Sequence, residues 1–259
     1  MMYLTWLDSN TWLVEIAGQR LLLDPWLVGP LTFGQADWLF KATRTHDRPI
    51  PDAIDLILLS QGLPDHAHVP TLKTLDRQIP IVGSVKAAKV AQSLGYTQVT
   101  ALAPGETHLV AERLEIRATR GALVGPTAVE NGYVLRDRTQ GETLYYEPHG
   151  FNDPDIQNLA PIDVVITPIV DMKLPLLGPI IRGKQSAQEL AQWLHPQVLL
   201  PTAAGGDIQM TGLLDRLLTF EGSADELRQT LATQGSRTQV LEPTPGERLA
   251  VPLTTPVGS

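Results

Sequence analysis

The sequence has no cysteine. Disulfides, thiolate-bound metals and cysteine nucleophiles are thereby excluded, and any metal ion must rest on His, Asp or Glu. Basic residues are also scarce. Twenty Lys and Arg against 28 Asp and Glu give a formal charge of -8, with a sequence pI near 5.2. Nonspecific nucleic-acid binding depends on Lys and Arg displacing counterions from phosphates, so no nucleic acid is expected as a partner. Long apolar runs are missing too: none approaches the roughly 20 residues that span a bilayer. Asp8 and Glu15 interrupt the N-terminal stretch where a signal peptide needs an unbroken apolar centre. The expectation is a cytoplasmic (cytosolic or stromal) protein with no transmembrane segment. What is present is ordinary globular material, 259 residues of which 43% are hydrophobic and 19% charged, enough for a sizeable core.

Short branched apolar stretches open the chain at Tyr3 to Leu7, Thr11 to Ile16 and Arg20 to Leu23, separated by turn residues, and predict a β-meander. Val28 to Pro51 has scattered aromatics, Gly and Pro without a period and reads as a long irregular loop. Strand and helix then alternate: Asp55 to Leu59, Pro70 to Leu75 (helix), Ile79 to Val82, Val85 to Leu94 (helix) and Gln98 to Leu102. Strands return at His108 to Val110, Leu114 to Thr119, Gly132 to Arg136 and Thr143 to Tyr146. Asp163 to Ile166, a helix at Ser186 to Leu194, Val198 to Leu200 and a helix at Ala224 to Gln234 closed by Gly235 complete the pattern. A last strand is expected at Leu249 to Val251. No linker divides the chain, which predicts a single domain over 1–251 and a loose tail over 252–259.

Three segments at ordered spacing carry a resemblance. They are Leu4-Thr5-Trp6-Leu7-Asp8-Ser9-Asn10-Thr11-Trp12-Leu13-Val14-Glu15, then Leu21-Leu22-Leu23-Asp24-Pro25-Trp26-Leu27, then Leu58-Leu59-Ser60-Gln61-Gly62-Leu63-Pro64-Asp65-His66. Together they resemble the start of the metallo-β-lactamase superfamily and, within it, the lactonase-like hydrolases related to ascorbate-6-phosphate lactonase. The resemblance runs from about residue 3 to about residue 205 and implies a four-layer αββα sandwich, two mixed β-sheets with helices outside. Residues 61–66 look like the family's H-x-H-x-D-H loop, whose side chains help hold two metal ions. By position, the first-metal histidines fall on Gln61 and Leu63. Leucine cannot coordinate, and glutamine offers only a neutral amide oxygen that Zn²⁺ rarely selects. The third histidine of that metal falls near Arg117 to Ala122, where none occurs. Ser9 stands where the branch often has a histidine. Asp65 and His66 remain, and His149 occupies the position of the bridging carboxylate. After Val198 to Leu200, where a last histidine is expected, only a displaced Asp207 could substitute.

The resemblance therefore implies one divalent metal at most (Zn, Mn or Fe), or none, with Asp65, His66 and His149 as ligands. Asp24 is the candidate to orient His66 or a plain turn carboxylate, and Asp65, His149 and Glu147 are the catalytic candidates, Glu147 holding His149 in one tautomer. Arg117 and Arg120 could clamp a carboxylate or phosphate of a small-molecule ligand, or be solvent-exposed strand arginines. An Asp-His pair before a helix could also be a cap, and His68 could be an accessory ligand but reads first as an exposed helix residue. Leu174 to Ile181, uncharged over eight residues, could be a patch for a second copy or a partner, or could pack on the next helix. Two functions follow: a hydrolase of a small ester, lactone or phosphodiester, or a pseudoenzyme kept as a ligand-binding or assembly module.

Overall fold

Leu21, Leu22 and Leu23 are all buried, yet they serve two cores: Leu21 and Leu23 pack in one and Leu22 in another. Leu56 and Leu58 against Ile57 and Leu59 divide in the same way. A strand with period-two side chains and both faces apolar belongs inside a layered α/β structure. The computed structural model has that architecture. It describes all residues except 35, 125–127, 176–177 and 255–259, with backbone alone at 123, 124 and 128.

The first sheet runs in the order β20 (Arg248–Ala250), β1 (Tyr3–Trp6), β2 (Trp12–Ile16), β3 (Gln19–Leu23), β6 (Leu56–Leu59), β7 (Ile81–Ser84) and β8 (Val99–Leu102). It is antiparallel up to β3 and parallel beyond it. The second runs β19 (Gln239–Val240), β16 (Val198–Pro201), β13 (Val164–Thr167), β12 (Thr143–Tyr146), β11 (Ala128–Asp137), β10 (Leu114–Val124) and β9 (Thr107–Val110), parallel on the β19 side and antiparallel from β12 to β9. A central core that includes Leu4, Trp12, Leu58, Tyr133, Tyr146 and Leu200 joins the two sheets. Outside the first sheet lie α1 (Val69–Thr74) and α2 (Val85–Ser93), packed through Leu72, Ala87 and Ala91. Outside the second lie α3 (Gly183–Leu194) and α4 (Ala224–Thr233), packed through Leu190, Leu194, Leu227 and Leu231. The layers are αββα, as the resemblance implied.

Local chemistry sets the helix ends. Ser84 and Ser223 accept backbone N–H bonds from Ala87 and Glu226, capping α2 and α4. Gly235, at φ 71°, lies just beyond α4, where the left-handed conformation is least costly for glycine.

One sequence expectation changes. The irregular stretch from Val28 to Pro51 contains β4 (Leu31–Thr32) and β5 (Lys41–Arg44), which form a small sheet with β17 (Ile208–Thr211). The pairing partner is more than 160 residues away, so no local signal could reveal it. The uncharged stretch at 174–181 runs from the end of β14 (Asp171–Leu174) into β15 (Gly178–Arg182), a hairpin completed by β18 (Thr219–Glu221); residues 176–177 lie outside the described residues. The tail is anchored through 254, because both the backbone N–H and Oγ1 of Thr254 donate to Gln197 Oε1. Residues 255–259 of that expectation lie outside the described residues.

Candidate metal centre

Strands β3 and β6 are parallel neighbours in register, Leu23 opposite Leu58, so their C-terminal ends lie side by side. Asp24 leaves the first at φ 38° and is fully buried. Its Oδ1 accepts from the backbone N–H of Ser60 at 2.7 Å, while Oδ2 accepts from Ser60 Oγ at 2.5 Å and the Tyr146 hydroxyl at 2.6 Å. His66 Nδ1 lies 2.7 Å from the same Oδ2. A carboxylate there fixes Nδ1 as the protonated nitrogen and turns Nε2 towards Asp65, whose Oδ2 is 3.2 Å away. Burial alone would push the His66 pKa down, but the charges of Asp65 and Asp24 outweigh it and raise it well above the ordinary value. Burial pushes Asp65 up; His66, by charge and hydrogen bond, overrides this and brings it down.

From the second sheet, the loop after β12 delivers His149, its ring 4.9 Å from that of His66. The turn depends on Gly150 at φ 75°, where an added Cβ would meet Arg182 O at 2.2 Å. Glu147 holds the loop from within. Its carboxylate accepts from the backbone N–H groups of His149, Gly150 and Phe151, and burial raises its pKa against the opposing effect of His149. The expectation that Glu147 fixes the His149 ring is corrected here. The carboxylate beside the ring nitrogen is that of Glu130 on β11, whose Oε2 lies 2.8 Å from Nδ1. The contact is off the ring N–H axis, and neither atom has another partner. Burial lowers the His149 pKa, but Glu130 more than offsets it, and the net shift is upward.

Glu130 is the site residue that the sequence did not disclose. It reaches the site beside a register shift between Arg120 and Leu123 on the neighbouring strand β10. Gly121, where a family histidine was sought, lies against it: a Cβ there would be 3.3 Å from Glu130 O and 3.4 Å from its Cβ. Nothing but the coincidence of a glycine and a glutamate on adjacent strands signals this. Two groups of donors result, Asp65–His66–His149 and Glu130–Glu147–His149, each with one ligand atom per residue lying within 4.8 Å of the others. They share His149.

The remaining candidates lie elsewhere. Gln61 is buried with its amide oxygen unpartnered, and Leu63 is 40% exposed. Asp207 is ion-paired with Arg48 and accounts for no donor in either group. Arg117 and Arg120 are exposed and border a hollow with Asp153 and Asp155; neither lines the cavity that Asp65 and His149 share. His68 is buried, not exposed. It caps α1 through Thr71, donates from Nε2 to Pro30 O at 3.2 Å, and burial lowers its pKa to about 4. The cap of α1 is thus His68, which leaves Asp65 free of that duty.

Asp65 and His149 open on a cavity of about 170 Å³. Phe33, Phe40 and Met210 line it from the β4–β5–β17 side, and Met172, Ile181 and Phe220 from the β14–β15–β18 side. Leu174 and Ile180 of the uncharged stretch also line it. Larger hollows of about 750 and 640 Å³ include none of Asp65, His66 and His149, so size does not mark the site.

A family model for a beta-lactamase superfamily domain matches residues 3–203. The chain belongs to that superfamily. It is 24% identical over 205 residues to a UPF0173 metal-dependent hydrolase of Pyrobaculum arsenaticum, covering 77% of this chain and 83% of that protein. An isothiocyanate hydrolase from Delia radicum gut bacteria shares the fold at TM-score 0.69 and 20% identity, over 96% of this chain and 99% of its own. A possible metal-dependent hydrolase from Veillonella parvula does so at TM-score 0.72 and 15% identity, over 97% and 100%. The superfamily member thus has the metallo-β-lactamase fold and relatives among metal-dependent hydrolases; its placement near the lactonases rests on the sequence resemblance alone. Among the described residues no helix is long and apolar enough to cross a membrane.

Proposed function

We propose that this chain is a metal-dependent hydrolase with one divalent ion held by Asp65, His66 and His149, acting on a small uncharged ester or lactone. The observation that carries it is the charge at the site. Asp24, Glu130 and Glu147 are buried, and Asp65 is partly so. Among the described residues no Lys or Arg pairs with any of the four. Even with Glu147, whose pKa burial raises, kept neutral, three carboxylates exceed two protonated imidazoles, and buried charge without a counter-charge costs several kcal/mol. A divalent cation fits this donor set. The unpartnered buried oxygen of Asp65, Oδ1, supports the same reading.

Two imidazoles and a carboxylate suit Zn, Mn or Fe and leave coordination positions open. When bound, the ion supplies a Lewis acid that polarises a carbonyl. The chain's own residues do the rest. Asp24 holds His66 in one tautomer, and Glu147 fixes the loop that carries His149. Asp65 lines the cavity and is the carboxylate placed beside water that attacks there. The apolar cavity excludes bulk water and receives the substrate's hydrocarbon part. Among the described residues no Lys or Arg lines that cavity, which disfavours an anionic phosphodiester among the three substrate classes.

Elemental analysis of the purified protein should find one Zn, Mn or Fe per chain. Hydrolysis of p-nitrophenyl butyrate or a short-chain lactone should disappear with chelator and return with the ion, and His66→Ala should lose both metal and activity. Full activity in chelated protein would sink the proposal. The ligand losses at Gln61 and Leu63 favour a second reading, a pseudoenzyme module, which requires no stoichiometric metal.

A further inference from the structure

The geometry assigns Glu130 as the positioning residue of His149, the counterpart in the second sheet of what Asp24 is to His66 in the first. This rests on the reading of Asp65, His66 and His149 as metal ligands. A neutral imidazole that gives one nitrogen to an ion keeps its proton on the other, and that N–H needs an acceptor. His66 has one, Asp24 Oδ2 at 2.7 Å from Nδ1. His149 has one candidate, Glu130 Oε2 at 2.8 Å from Nδ1.

Three observations favour this role. Glu130 is 3% exposed and His149 8%, and neither contacting atom has an alternative partner. Glu147, the other carboxylate in reach, is already taken up by three backbone N–H groups. The two donor groups share His149 but do not merge into one set. Glu130 therefore does not join Asp65 and His66 around a common point, as a fourth ligand would. Each imidazole then has its own carboxylate at Nδ1, and both Nε2 atoms are left for one ion. The two carboxylates come from different sheets, so the pair of rings is set by the sandwich and not by the motif loop alone.

The test combines metal affinity with a direct reading of the tautomer. Zn²⁺ dissociation constants are measured by chelator competition for the full chain and for Glu130→Gln and Glu130→Ala. Long-range ¹H–¹⁵N spectra of the histidine rings are recorded with Zn²⁺ and, at pH 9, without it. Glu130→Ala should weaken Zn²⁺ binding about 10–100-fold, and Glu130→Gln, whose amide oxygen still accepts a hydrogen bond from Nδ1–H, should recover part of that loss. His149 should carry its proton on Nδ1 in both spectra. Unchanged affinity in Glu130→Ala, or His149 bound to Zn²⁺ through Nδ1, would overturn the assignment. Wild-type protein that binds no Zn²⁺ but shows the Nδ1–H tautomer would remove the metal reading and keep the Glu130–His149 pair; without that tautomer both fail.

Discussion

At the scale of single residues, Asp24 has the most concentrated task in the molecule. One buried carboxylate accepts from a backbone N–H, two hydroxyls and an imidazole. An isosteric Asp24→Asn change keeps the shape but removes the charge and presents an N–H₂ to at least one donor. It should cost about 2–3 kcal/mol in metal-free protein, whereas Tyr146→Phe, which removes one bond, should cost about 1 kcal/mol. Urea unfolding with linear extrapolation measures both, and equal costs would contradict the central place given to Asp24. Asp24 and His66 were legible through the resemblance, since each lies in a matched segment just after a buried strand. Glu130 was not, because its neighbour in space, His149, belongs to another strand-end and no motif links them. Glu147 was legible as a site residue but not in its role, since backbone N–H groups leave no trace in a sequence.

Elements place these residues, and their turns show how much one side chain can fix. Asp137 ends β11 and is 1% exposed. It accepts from Arg113 Nη2 at 2.9 Å and from the backbone N–H groups of Thr139 and Gln140 at 2.8 and 3.1 Å, closing the turn into β12. Burial alone would raise its pKa, but Arg113 and those N–H groups bring it below the ordinary value. With the folded pKa depressed, the stabilisation is complete above the unfolded value of about 3.9 and is lost as pH falls through the folded one. Asp137→Asn should therefore cost about 1–3 kcal/mol at pH 7 and progressively less below about pH 4. Unfolding curves of both proteins at pH 7, 5 and 3 test this, and a constant difference across that range would refute it. Elements with a strong period or cap, such as β3, β6 and α4, were legible with small errors at their ends. β4, β5 and β17 were not, since β5 is completed by a partner strand more than 160 residues away in sequence.

For the whole molecule, the order of strands and helices along the chain and the family resemblance pointed to a layered sandwich, whereas the two small sheets over the cavity left no readable pattern. The candidate ligands bridge that sandwich: Asp65 and His66 follow β6 of the first sheet, and His149 follows β12 of the second. An ion bound by all three ties the halves together, and it binds only where both sheets are in place, so binding is linked to global unfolding. At a free-ion concentration of 100 Kd the linkage amounts to about 2.7 kcal/mol, which for a chain of this length is roughly 5–10 °C in Tm. Differential scanning calorimetry of chelated and metal-loaded protein should show that difference. His66→Ala, lacking one ligand, should melt at the same temperature in both states. An equal shift in His66→Ala would place the ion elsewhere, and no shift in the wild type would mean that the two sheets are held by their apolar core alone.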